Sequence, residues 1–192
     1  MKHPKNSILV TYKTDKKGRP DLLSMKCYHN KRGLISPFKK RAYIDLTPLT
    51  VPVSLKSALT ADNYRLNLDC TITVEISTDP VMMPVAAEKF YALKRGQIAE
   101  IATDAITSGM RIAVALFDIE TINLNRDEFF SLLVYHIDDS LKHLGMKTVN
   151  YRYTDMSDED GYFAKYDREQ IRKAIEHAKS EIEKEKKKYS PD

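Results

Sequence analysis

Residues 64–76 alternate without a break between apolar and polar side chains. A period of two places each set on its own face of an extended chain, so the pattern predicts one long β-strand with a buried face and a polar face. The predicted buried face consists of Tyr64, Leu66, Leu68, Cys70, Ile72, Val74 and Ile76. From Pro84 to Gly145 the apolar residues recur at helical spacing instead. A long strand followed by helices predicts an α+β domain in which the helices cover one face of a sheet.

Shorter strand patterns flank the long strand. They cover residues 7–12, 24–28, 43–46, 49–53 and 146–156. The first two are separated by a charged segment with Gly18 and Pro20, which predicts a hairpin. Pro52 has no backbone donor, so its strand is expected at the edge of a sheet. The last strand is predicted to pair with the long strand.

Three helices are predicted between the long strand and the last one. The first begins at Pro84 and ends near Gly96, and the second contains Gly109, which indicates close packing or a local break. The third is expected to begin at Asn125 as its N-cap and to end at Gly145. The predicted buried face of this third helix consists of Phe130, Leu133, Ile137, Leu141 and Leu144.

The predicted fold is therefore α+β, a mostly antiparallel sheet in two lobes with helices packed on the second lobe, followed by a charged C-terminal helix. We expect residues 1–60 to form a first, β-rich lobe and residues 61–156 a second, αβ lobe. Residues 157–192 are expected to form the helix, as the start of a coiled coil. A chain of 192 residues with 42% hydrophobic content is large enough to bury an ordinary core.

Several functional classes are disfavoured by the sequence. No apolar stretch approaches the roughly 18–20 residues of a spanning helix, and the first residues show no signal-peptide pattern. Two cysteines, Cys27 and Cys70, are too few for a disulfide framework and suit a reducing compartment. The five histidines are scattered and the six glycines are isolated, so no metal site, phosphate loop or nucleophile is indicated. We therefore expect no catalytic residues, no cofactor and no metal.

The charge distribution is strongly asymmetric. Residues 1–41 contain twelve Lys or Arg and two Asp, a local net charge of +10, whereas the remainder holds 19 basic and 25 acidic residues. A basic end favours an anionic partner such as phospholipid head groups or nucleic acid. The alternative is that the lysines only keep exposed strands soluble and protect their edges.

The C-terminal helix carries a short apolar stripe. Residues 157–160 form a helix-start signal, and the stripe then recurs at spacings of four, three and four. Its members are Ile171, Ile175, Ala178 and Ile182. They are the candidate oligomer contact, although the stripe is shorter than the roughly 3–4 heptads of an independent coiled coil. The alternative is a solvated helix that packs this stripe on its own domain.

An ordered series of segments resembles one known family. Residues 96–102, 109–113, 118–122 and 125–129 are similar to the flotillin branch of the band 7 family, which also includes stomatin and prohibitin. Segments 5–12, 44–51 and 144–158 agree in the same order. The resemblance covers about residues 5 to 165.

The resemblance implies a non-catalytic scaffold domain on the cytoplasmic face of a membrane, attached peripherally or through an anchor absent from this chain. It implies self-association, weak here because the coiled coil is short, and contact with membrane lipids and membrane proteins. No nucleic acid and no small-molecule substrate is expected. Animal relatives insert a hydrophobic segment near residues 34–38. The candidate anionic-lipid contacts are therefore Lys31, Arg32, Leu34, Ile35, Phe38, Lys39 and Lys40.

A soluble, basic nucleic-acid-binding module is the alternative function. Besides the basic first forty residues, Tyr12, Tyr28, Phe38 and Tyr43 are candidates for stacking on bases. The lack of a recognition helix or a zinc finger motif argues against this alternative.

Overall fold

The computed structural model describes residues 6–29 and 38–188. In the last helix, the side chains are described as far as Glu185. The strands in these ranges are β1 (Ser7–Thr14), β2 (Pro20–His29), β3 (Lys40–Asp45), β4 (Leu49–Leu59), β5 (Arg65–Ile76) and β6 (Met146–Asp158). The helices are α1 (Met82–Phe90), α2 (Arg95–Ala115), α3 (Ile119–Leu124), α4 (Arg126–Lys142) and α5 (Tyr162–Lys188). The predicted α+β class is confirmed, and so is the C-terminal helix.

The strands form two antiparallel sheets of three strands each. Sheet A has the order β2-β1-β3, and sheet B has the order β4-β5-β6. The long strand predicted from the alternation is β5, the centre of sheet B, and its inward residues are buried from Leu66 to Ile76. The hairpin of β1 and β2 and the pairing of β6 with β5 are also confirmed.

Strand β4 belongs to sheet B. The sequence pattern groups residues 49–53 with the first strands, but β4 pairs with β5 from Leu49 opposite Val74 to Leu59 opposite Arg65. Pro52 lies in this edge strand, as its missing donor predicts. Residues of both sheets contribute to one hydrophobic core, so the division into lobes stays a prediction.

Helices α2 and α4 cover the apolar face of sheet B. The buried side of α2 consists of Ile98, Ala102, Ile106, Gly109, Met110, Ala113 and Val114. In α4, Phe129 is fully buried and Phe130 only partly, so the register of the predicted helix face is wrong by one residue at this end. Asn125 is the N-cap residue of α4, and Gly145 follows its end at a φ of +70°, as predicted.

Helix α5 leaves the domain after its first turn. The Asp158 carboxylate accepts hydrogen bonds from the backbone N–H groups of Tyr162 (2.6 Å) and Phe163 (3.0 Å), which confirms the predicted start signal. From Asp167 to Glu185 every side chain is exposed. No helix in the described ranges is long and apolar enough to cross a bilayer.

Candidate membrane-contact and self-association surfaces

Three of the seven predicted lipid contacts lie at the beginning of β3. Phe38 is 92% exposed, Lys40 is exposed and Lys39 is partly exposed. The other four, Lys31, Arg32, Leu34 and Ile35, lie outside the described residues.

The strand register places Phe38 at the same end of sheet A as the β1–β2 hairpin. Tyr12 of β1 pairs with Lys40 of β3, and two residues later Thr14 pairs with Pro20 of β2. Neighbouring strands lie about 4.8 Å apart, so β2 and β3 are separated by about 10 Å across β1. We define the sheet A tip as residues 13–23 and 38–40.

The tip exposes two apolar side chains that the sequence analysis missed. Leu23 is fully exposed and Leu22 is half exposed. Both lie in an irregular part of β2, where the pairing register shifts between Thr11 and Lys13. Two adjacent leucines in a strand indicate such an exposed side chain. Successive side chains point to opposite faces, and one face of this hairpin is in contact with solvent, so one of the two leucines is expected on that face.

Side-chain hydrogen bonds hold this irregular segment in place. The backbone N–H of Lys13 donates to the Ser24 hydroxyl (2.8 Å), which itself donates to the carbonyl oxygen of Asp21 (2.8 Å). The Asp21 carboxylate accepts the N–H of Leu23 (3.1 Å). Leu23 is therefore presented to solvent by a defined local structure.

The tip is also basic. Asp15 closes the hairpin turn by accepting the N–H groups of Lys17 and Arg19 and pairing with the Arg19 guanidinium (3.0 Å). The backbone hydrogen bond from Arg19 is the main reason why the pKa of Asp15 is lowered. The lysines of the tip form no ion pair within the described part of the chain. They are Lys13, Lys16, Lys17, Lys39 and Lys40.

The proposed base-stacking residues do not share one surface. Tyr12 packs on Tyr91 of the core side with a ring-centroid distance of 5.2 Å. Tyr28 and Tyr43 both lie opposite Leu9, whose neighbours Ile8 and Val10 face the core, so these two tyrosines are on the other face of sheet A. Within the described ranges, sheet A therefore separates Tyr12 from Tyr28 and Tyr43, which disfavours the nucleic-acid alternative.

Within the described residues, no other element covers the apolar stripe of α5. Ile171, Ile175 and Ile182 are 60%, 50% and 53% exposed, and Ala178 is exposed as well. The alternative in which the stripe packs on its own domain is therefore wrong. The ion pairs Lys173–Glu169 (3.4 Å) and Arg172–Glu176 (4.0 Å) stabilise the part of α5 that carries the stripe.

Both cysteine thiols are poor nucleophiles in this structure. Burial raises the pKa of Cys70 to about 11, and its sulfur lies 3.9 Å from that of Met110. Burial also raises the pKa of Cys27, which is half-buried in β2. Since the thiolate is the reactive form, neither group is activated at neutral pH.

In a comparison with protein families, the chain matches a model described as SPFH domain / Band 7 family over residues 3–188. The chain belongs to the SPFH/Band 7 family. A comparison with curated proteins found no match. Proteins with an SPFH domain are generally membrane-associated, self-oligomerising and non-catalytic scaffolds. In this SPFH domain, the described ranges expose apolar side chains both at the sheet A tip and on α5.

Proposed function

We propose that the chain is a flotillin-type scaffold module without catalytic activity, which contacts the cytoplasmic face of an anionic membrane through the sheet A tip. The supporting observation is that Leu23 and Phe38, the two most exposed large apolar side chains at that end, stand among lysines that form no ion pair within the described ranges. An apolar side chain beside a cation suits a lipid surface, because the apolar group enters the acyl boundary while the cation remains at the head groups.

The expected strength of this contact is modest for one copy. Each Lys near an anionic bilayer contributes about 1 kcal/mol, so four or five of them give only weak adsorption. Several copies linked together raise the effective concentration of the remaining tips once the first has bound. Self-association through the α5 stripe would therefore turn a weak contact into stable attachment.

Vesicle flotation tests the membrane contact. The chain is expected to float with vesicles that contain phosphatidylserine, to stay unbound with neutral phosphatidylcholine vesicles, and to dissociate as salt screens the charges. Changing Lys16, Lys17 and Lys40 to Glu should weaken binding by at least about 100-fold, because at least about 1 kcal/mol is lost per residue.

The matched control reverses three other exposed cations, Arg111, Arg126 and Lys142, which lie on α2 and α4, the helices that pack on sheet B. This control changes the net charge by the same amount. It should leave the affinity for vesicles within about threefold of that of the unmodified chain, because salt screens charges that lie far from the membrane. Equal loss in both triple variants would show that net charge alone, and not the tip, drives adsorption.

Sedimentation velocity across a concentration series tests the α5 stripe. The chain is expected to associate weakly and reversibly, and Ile175→Asp should abolish that association because an unpaired carboxylate in an apolar contact costs several kcal/mol. The control His177→Asp adds the same charge at a position about 200° around the helix axis from Ile175. It should have little effect on self-association. A stable oligomer that survives dilution in the Ile175→Asp variant would assign assembly to other contacts.

A further inference from the structure

An aromatic cavity lies at the base of α5, away from the residues assigned to membrane contact and assembly. Three tyrosines line it: Tyr64 before β5, and Tyr162 and Tyr166 on the first turns of α5. Its volume is about 270 Å³. That is slightly below the roughly 300–1,000 Å³ of common small-molecule sites, so it suits a compact group such as a lipid or metabolite head group.

The rings of this cavity are arranged as a connected wall. Tyr64 and Tyr162 meet edge to face, with centroids 5.4 Å apart and planes at 69°. Tyr162 and Tyr166 are roughly parallel at 21° and 6.2 Å. The negative potential of an aromatic face attracts a cation within about 6 Å of its centroid, and adjacent faces add their effects.

Carboxylates surround the same cavity. Asp160 and Glu169 line it directly together with the cation Lys165, and each carboxylate also pairs with a cation outside the lining, Asp160 with Arg65 (3.6 Å) and Glu169 with Lys173 (3.4 Å). Burial, and after it the negative charge of Glu120, raises the pKa of Tyr162. Asp160 is held by the backbone N–H of Arg65 (2.7 Å), so its position is fixed.

Space remains open on the floor of the cavity. Gly161 has a φ of +73°, and a Cβ added there would meet no atom within 4 Å. Asp158 fixes the turn from the other side through its bonds to Tyr162 and Phe163. The tyrosine wall is thus formed before any ligand arrives, which lowers the cost of ordering it.

We infer that this cavity binds a quaternary ammonium group against its three tyrosine rings, with the carboxylates of Asp160 and Glu169 nearby. Methylated ammonium ions suit such a wall because they are large, weakly hydrated cations that bind aromatic faces without giving up strong water contacts. Two sources share this chemistry, namely a free choline-type metabolite and the phosphocholine head group of a lipid. The inference does not depend on the proposed scaffold function.

Titration followed by NMR of the tyrosine rings tests the inference, with choline as the probe and 3,3-dimethylbutan-1-ol as its neutral isostere. Choline is expected to bind with a Kd of about 1–10 mM, and the isostere at least about tenfold more weakly, because it lacks the charge. Equal binding of the two molecules, or no choline binding at about 50 mM, overturns the inference.

Variants separate the cavity from general effects. Tyr166→Leu is expected to weaken choline binding by about three- to fivefold, whereas Tyr135→Leu, an exposed tyrosine on α4, leaves it unchanged. Lys165→Gln is expected to strengthen binding, because it removes the cation that competes for the cavity. Circular dichroism verifies the fold of each variant, and unchanged affinity in the folded Tyr166→Leu protein contradicts the inference.

Glycerophosphocholine distinguishes the two sources. If it binds as tightly as choline and loses affinity in Lys165→Gln, the lysine holds the phosphate and the head group is the ligand. If it binds more weakly than choline because Asp160 and Glu169 repel the phosphate, the ligand is a free ammonium metabolite. Both results require choline to bind, so both support the ammonium site.

Discussion

Replacing Gly145 with alanine is expected to lower the free energy of unfolding by about 2–5 kcal/mol. Its φ of +70° costs an L-residue roughly 1–2 kcal/mol, and overpacking adds roughly 1–3 kcal/mol. An added Cβ would lie 2.5 Å from the backbone nitrogen of Ala86 and 2.7 Å from the carbonyl oxygen of Met82. Urea denaturation followed by circular dichroism measures the loss, which is a large share of the 5–15 kcal/mol that stabilises a typical domain.

Gly18→Ala is the matched control for this prediction. Gly18 has a similar φ of +78°, but a Cβ there would meet nothing within 4 Å. Only the conformational cost of about 1–2 kcal/mol is expected at this position. If both variants lose the same free energy, the close approach of Gly145 to α1 has no energetic weight.

A second large effect is expected at Gly109, where α2 and α4 approach through their backbones. A Cβ at this position would lie 2.6 Å from the carbonyl oxygen of His136 and 2.8 Å from Cα of Ile137. Since neither backbone atom can turn away, Gly109→Ala must separate the two helices, at a cost of about 1–3 kcal/mol measured by the same denaturation.

A glycine-to-alanine substitution near the start of α2 should not lower the free energy of unfolding. Gly96 has open space around it and no unusual φ, so Gly96→Ala is expected to be neutral or to stabilise the chain by up to about 1 kcal/mol. Destabilisation by both changes would mean that α2 tolerates no alanine for reasons other than packing on α4.

The elements predicted best from the sequence are those with a strong local pattern. The strict alternation of residues 64–76 gives β5 and its buried face, and helical spacing gives α1, α2 and α4. Gly109 illustrates an open alternative that the structure resolves, because close packing and not a break explains it. Short α3 was not predicted, since six residues offer too little periodicity.

Pairing partners and surface irregularities were harder to predict. Local pattern does not specify which sheet an edge strand such as β4 joins, because its partner is chosen by contacts distant in sequence. The exposure of Leu23 depends on hydrogen bonds of Ser24 and Asp21 that no periodicity encodes. Likewise, the tyrosine cavity combines a residue before β5 with residues of α5, almost one hundred positions later.

The length of α5 has a mechanical consequence for assembly. Its 27 residues extend about 40 Å at 1.5 Å per residue. A change of only about 10° in its direction at the first turn would displace its far end by about 7 Å, more than the 5.4 Å pitch of a helix. In the proposed assembly through α5, the alignment of two such helices would be decided at the base, where Asp158 and the contact between Tyr64 and Tyr162 set the angle at which α5 leaves the domain.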